Sequence, residues 1–403
     1  MSALADSREI AEVADRARET GRFGIDTEFM GEGRYRSLLC VVQVAVEQED
    51  GESRVLVVDA LDDAVDVTPL AEILADPAIE VVMHAARQDV PLLKRTWDVP
   101  VTQLFDTQVA AGFAGLRAQL GYDPLLQEML GVRLRKSASF TKWDRRPLTE
   151  EQIRYAREDV LHLLQVATAL EQRLEARGRL EWAREECRPL EALSDIREVD
   201  TVFAKLPKIN GLDPKVRAVA WELAAWREET AREADRPATS VLNDAALVEI
   251  AKRRPASTRD LEQIRGLNEG ALRRRGKAII AAVAQGRERD PIPNTASRHV
   301  QPDSGDAPLI ALAEALVRTR ATDAELAYEL IAARADLQRI ITAVRTGVDT
   351  DADALGDVRT LQGWRRELVG EELLELLHGR RELRIGPNLE VEVRAVTTEP
   401  EPA

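Results

Sequence analysis

The chain is short of the residues that build covalent or soft-metal sites. Its two cysteines, Cys40 and Cys187, lie far apart and outside any CxxC spacing, which argues against a disulfide framework and a zinc knuckle. Its four histidines, His84, His162, His299 and His378, are scattered and form no HExxH motif. A metal held here must therefore rest on oxygen ligands, which favours magnesium or manganese. No apolar run approaches the ~20 residues needed to span a bilayer. Met1 to Asp15 alternates charge with small apolar residues and contains no signal-peptide hydrophobic segment. The cytoplasm is the expectation, with no membrane partner. There is no GxxxxGKS or GxxxxGKT phosphate loop, which argues against a helicase, and no repeat at solenoid periods.

The 403 residues suit two or three domains. Hydrophobic residues at 44% and charged residues at 32% form a mixture able to build real cores. The net charge of −15 argues against a globally basic nucleic-acid binder. Polyanion binding would need a local basic face, with cations in the site.

The first 150 residues alternate strand and helix patterns. A Ser-capped helix is expected over 7–19, then a meander of strands at 22–29, 38–46 and 54–59. A helix near 69–75 precedes the nearly all-apolar segment 79–84, which reads as a strand buried on both faces. A short strand follows at 103–106, giving a mixed sheet flanked by helices. From a Thr149 cap onward the pattern is helical. A connector near 190–208 leads to a helical block at 209–286. Gly286 to Pro308 reads as a linker, followed by helices over roughly 308–380 and a frayed tail.

Four acidic positions stand out in this frame. Asp26 and Glu28, at i and i+2 of one strand, project from one face. Tyr155 and Asp159, at i and i+4 of a helix, share another. Asp89 follows the buried strand, in the first turn of a helix at the sheet's carboxyl edge, where ligands bind in open sheets. Each has an ordinary reading when taken alone. The first pair resembles solvated strand-end carboxylates, Asp89 a helix N-terminal acid, Tyr155 a core aromatic, and Asp159 a partner of Arg154 or Arg157. His84 fits a core or capping histidine, and Asp106 a helix cap at a strand-to-helix junction.

Together, DxE on a first strand, an Asp after a buried strand and YxxxD on a late helix resemble the DEDD family of 3′–5′ exonucleases. Tyr155 places the chain in its tyrosine subclass, since Arg154 stands where the sister subclass carries histidine. Further segments are similar to the ribonuclease D branch: Gly24 to Phe29, Gln43, His84-Ala85, Phe105 to Gln108, and the run Lys136-Ser137, Trp143, Arg146 to Thr149, Gln152, Tyr155-Ala156, Asp159-Val160. Trp221, Trp226-Arg227, Arg236-Pro237, Val241 to Asp244, Leu247, Ile250-Ala251 and Arg265-Gly266-Leu267 resemble an HRDC domain. In that block Asn243 or Asp244 is expected to cap a helix. Residues 208–290 carry about +4 net charge, suiting a phosphate-tracking module, with Lys252-Arg253-Arg254 and Arg273-Arg274-Arg275 as patches. The last block resembles a second HRDC-like module. The chain departs from the pattern at Lys142, commonly acidic, and at Ala86, commonly glycine.

The resemblance implies an α/β, ribonuclease-H-like exonuclease domain with a mixed sheet over 1–190, followed by two all-α HRDC-type domains. The expected bounds are 208–290 and 308–395, with a linker at 291–307. It implies that Asp26, Glu28, Asp89 and Asp159 hold two Mg²⁺ or Mn²⁺ ions about 4 Å apart. Tyr155 would position the attacking water, while Thr27, Phe29 and His84 would contact substrate. The expected substrate is structured RNA with a free 3′ end, such as a tRNA precursor, cut to 5′-mononucleotides. DNA hydrolysis and a non-catalytic adaptor role are the alternatives, and no protein partner is predicted.

Overall fold

The computed structural model describes residues 4–134, 142–264, 267, 269–294, 305–348, 355 and 358–396. Lys136-Ser137 and Arg265-Gly266 of the motif runs lie outside them.

A five-stranded sheet has the order β3-β2-β1-β4-β5. Its strands are β1 (Arg22–Met30), β2 (Leu38–Glu47), β3 (Ser53–Asp59), β4 (Glu80–Met83) and β5 (Leu104–Asp106). The first three form the antiparallel meander, and β4 and β5 add in parallel beside β1. The helices around it are α1 (Ser7–Thr20), α2 (Thr68–Ala75), α3 (Asp89–Trp97), α4 (Thr107–Phe113), α5 (Tyr122–Leu130), α6 (Glu150–Leu161), α7 (Leu163–Glu175) and α8 (Leu180–Glu191).

Strand alternation sorts the two faces. Phe23, Ile25, Val42, Val44, Val46, Val81 and Met83 pack with α1, α2 and α3. The opposite face, with Ala45, Val55 and Val82, meets α7 and its neighbours. Gly24 permits this approach, because a Cβ there would stand 3.2 Å from Leu163 Cδ2.

Local capping follows the sequence with one correction. Thr149 and Gln152 form the capping box of α6. The cap of α1 is Asp6, reciprocated by Glu9, and not Ser7, which is the first helical residue.

The HRDC-like helices Pro214–Glu233, Asp244–Arg253 and Glu269–Glu288 enclose their own core of Leu223, Leu247, Ile250, Ile279 and Val283. Asn243 is the cap, accepting from the Ala246 amide at 2.8 Å. Gly286 is helical rather than the start of a linker: a Cβ on it would lie 2.5 Å from Val219 Cα, so glycine is what lets these two helices touch. This module reaches back to the β1–β2 loop. Arg34 pairs with Asp235 at 2.7 Å and the Tyr35 hydroxyl donates to Glu228 at 3.1 Å.

The last block, with helices Asp306–Asp323, Arg334–Thr346 and Glu371–Leu377, shares a continuous core with the sheet domain. Ile310, Leu316, Ile340 and Trp364 join Phe105, Phe113 and Leu170 in it. The block is not all-α as expected, since β6 (Arg381–Ile385) and β7 (Val391–Ala395) close it as an antiparallel hairpin. Leu383 and Ile385 alternate with polar residues before the Gly386-Pro387-Asn388-Leu389 turn, and Val391 and Val393 do so after it. That is a period-two signal which the Gly-Pro pair had disguised as a simple helix stop. No helix among the described residues is long and apolar enough to cross a membrane.

Candidate active site

The site forms where β1 runs past the end of β4. The two strands pair only from Arg22 to Gly24. Beyond that point β1 has Asp89, the first residue of α3, on this side. The Thr27 hydroxyl donates to the Asp89 carboxylate. Thr27 was expected at the substrate, but its proton is committed to orienting Asp89.

The turn into α3 is built by Asp106. Its carboxylate caps α4 through the Gln108 amide at 2.8 Å, and it also accepts from the Ala85 and Ala86 amides at 3.1 and 2.8 Å. Ala85 has a left-handed φ of 59°, a strained conformation for a residue with a Cβ, and these bonds hold it. Asp106 is thus the structural cap the sequence suggested.

On the other side, α6 lies over the sheet with Tyr155 and Asp159. Arg157, one expected partner of Asp159, instead donates to the Val55 carbonyl at 2.9 Å, and Arg154 lies 3.9 Å from Glu151. Tyr155 is backed by the buried Trp143, their ring centres 6.1 Å apart. The segment carrying Trp143 is pinned by Arg146, which pairs with Asp59 and donates to the Cys40 and Trp143 carbonyls at 2.9 and 2.7 Å.

All four carboxylates are pushed upward in pKa. Burial is the first cause in each, because it penalises the charged form. Asp26 is raised well above its ordinary value by burial, then by Asp89, Asp159 and Glu28. Glu28 is raised to about 8 by burial, Asp159 and Asp89. Burial and then Glu158 lift Asp159 to about 7. Asp89 rises to about 6, with the Thr27 hydrogen bond opposing its burial. Tyr155 is raised by burial, then by Asp159, Glu28 and Asp26. Among the described residues, no arginine or lysine appears among the groups perturbing the four acids. As they stand, no group of three or more His, Cys, Asp or Glu side chains among the described residues is arranged to hold a metal ion. The carboxylates approach from three elements without closing on a common point.

His84 sits beside this cluster. The Thr107 hydroxyl donates to the Met83 carbonyl at 3.1 Å and so must accept from His84 Nδ1, 2.9 Å away. Burial lowers the histidine's pKa. Asp106 and the Leu120 backbone oppose that shift without cancelling it. Phe29 is half-buried at the end of β1.

Residues 1–175 match the 3′–5′ exonuclease family model, and residues 216–283 match the HRDC domain model. The ribonuclease D of Nitrobacter hamburgensis is 36% identical over 390 residues, covering 96% of this chain and 97% of that protein. The chain belongs to the ribonuclease D family. The ribonuclease D of Granulibacter bethesdensis is 35% identical over 385 residues, 93% of this chain and 92% of that one. The crystal structure of Escherichia coli RNase D, an exoribonuclease involved in structured RNA processing, superposes with a TM-score of 0.77 at 27% identity, covering 93% of this chain and 98% of that chain.

Two residues near the acids were not among the expected site residues. Tyr122, at the start of α5, has its ring centre 5.3 Å from that of His84. Its pKa is raised by burial, then by Asp159 and Asp26, with the His162 backbone amide offsetting part of the rise. Nothing in its local sequence signals this. Gln43 had a signal that went unused as a site marker. It is the one polar residue between Leu38 and Val46, and it pairs with Asp26 in the β1–β2 register.

Proposed function

We propose that this ribonuclease D works in the cytoplasm as a metal-dependent 3′–5′ exoribonuclease on structured RNA, tRNA precursors among its substrates, releasing 5′-mononucleotides. The observation carrying this reading is the set of four desolvated carboxylates that, among the described residues, have no cationic side chain among the groups perturbing them. Such a site is costly unless positive charge enters it, and an all-oxygen donor set fits Mg²⁺ or Mn²⁺. Asp26, Glu28, Asp89 and Asp159 would hold two such ions. When bound, those ions would supply an acidified water and neutralise charge on the departing 3′-oxygen.

The chain's own side chains do the rest. Tyr155 stays a neutral phenol at physiological pH, since burial and three carboxylates all oppose its ionisation. It acts by orienting water through a hydrogen bond rather than as a general base. Thr27 fixes Asp89. Phe29 offers an apolar face to the terminal nucleotide, and His84 would contact it beside Phe29. On the HRDC module, Lys252, Arg254, Arg274 and Lys277 are exposed and suit phosphate contacts. Arg275 does not join them: its guanidinium donates to the Ser240 and Val241 carbonyls at 3.3 and 3.0 Å.

The test uses 5′-labelled RNA and DNA with free or 3′-blocked ends, incubated with Mg²⁺ or Mn²⁺. Free-ended RNA should shorten stepwise from its 3′ end, blocked RNA should persist, and DNA should be cut more slowly. Intact free-ended RNA, or equal loss from blocked ends, would refute the assignment.

A further inference from the structure

Gln43 is fully buried at 0% exposure, and neither atom of its side-chain amide has a hydrogen-bond partner. An amide is rarely buried without partners, because it gives up water on folding and gains nothing back. The neighbours explain the deficit. In the antiparallel register Gln43 stands opposite Asp26 on β1 and opposite Val57 on β3. Directly opposed residues share a face of the sheet. On the same strand, that face carries Val41 and Ala45, both buried. Of the side chains directly opposite it or next to it along its own strand face, only the Asp26 carboxylate can exchange a hydrogen bond with the amide; Glu28 and Asp59 stand one step further on, on the diagonals.

We propose that Gln43 is a positioning residue for Asp26: its Nε2 donates to the Asp26 carboxylate when that carboxylate turns to ligate a cation. The proposal rests on the reading of Asp26 as a metal ligand. Outer partners of this kind fix the orientation of ligating carboxylates, and removing one typically weakens metal affinity by about 10–100-fold. A cation-binding role also accounts for a polar group that costs the folded chain stability. Methionine has nearly the same length and no hydrogen-bonding demand, so it separates the two effects.

The experiment compares wild type, Gln43→Met and Gln43→Asn in the full chain. It reads thermal unfolding in EDTA, Mn²⁺ binding by calorimetry, and the Mn²⁺ dependence of RNA hydrolysis. Gln43→Met should raise the unfolding temperature in EDTA by about 2–4 °C. It should weaken Mn²⁺ binding by about 10–100-fold, with hydrolysis recovering at high Mn²⁺. Gln43→Asn, which withdraws the amide by one methylene, should fall between the two. A lowered unfolding temperature or failure to fold in Gln43→Met would overturn the proposal, and so would Mn²⁺ affinity within twofold of wild type. If wild type binds no Mn²⁺, or Asp26→Asn binds it equally well, the metal reading itself fails and this proposal goes with it. A wild type whose Mn²⁺ binding requires Asp26, beside an unaffected Gln43→Met, refutes the proposal alone.

Discussion

Asp26→Asn should all but abolish RNA hydrolysis while making the metal-free protein harder to unfold. Loss of a ligand that helps place the cations removes several kcal/mol of transition-state stabilisation, about 10³-fold or more in rate. The stability gain comes from the same carboxylate. Asp26 is half-buried, with its charge opposed by Asp89, Asp159 and Glu28, and asparagine keeps the shape without the charge. The pH dependence follows from the direction of the shifts. Each acid has a folded pKa above its unfolded one, so the folded state binds more protons and stability falls as pH rises. With Asp89 at about 6, Asp159 at about 7 and Glu28 at about 8, the loss begins as pH rises through the ordinary carboxylate range and is complete only above pH 8. The gain from Asp26→Asn should therefore be larger at pH 8 than at pH 4, read by calorimetric unfolding in EDTA. A variant that is less stable than wild type at pH 8 would count against the repulsion argument.

Trp364→Ala should cost about 3–5 kcal/mol and release the C-terminal block from the sheet domain. Trp364 is 2% exposed. It meets Phe113 edge-on at 4.9 Å and stacks on Trp182 at 5.3 Å between ring centres. Both partners belong to the sheet domain, so the indole is a bolt across the junction. Arg365 reinforces it by pairing with Glu186 at 2.7 Å. Chemical denaturation measures the loss, and limited proteolysis of the C-terminal block should accelerate in the variant. A loss under about 1 kcal/mol would mean the block is held elsewhere. The same contacts complicate truncation. Removing everything from 208 onward strips the cover from Phe113 and Trp182, so a weaker RNA grip in such a fragment would mix lost binding with a damaged core.

What the sequence made legible was whatever local periodicity encodes. The shared face of Asp26 and Glu28, the helix start at Asp89, the Thr149 cap and the Asp106 cap of α4 all follow from spacing and capping chemistry. Features set by distant partners were not legible. Gly286 looks like punctuation until Val219 is seen pressed against it. Arg275 looks like a phosphate ligand until two backbone carbonyls claim it. Tyr122 reaches the acids only because α5 folds back beside His84. The junction at Trp364 joins residues far apart in sequence, which no window of local pattern can pair.

The most direct measurement is calorimetric titration of the full chain with Mn²⁺ at pH 6.5 and pH 9, each in two buffers of different ionisation enthalpy. If four raised carboxylates hold the cations, two ions bind, more tightly at pH 9, and protons are released at pH 6.5 but hardly at pH 9. Binding that is independent of pH and releases no protons, or that survives Asp26→Asn unchanged, would contradict the four-carboxylate site.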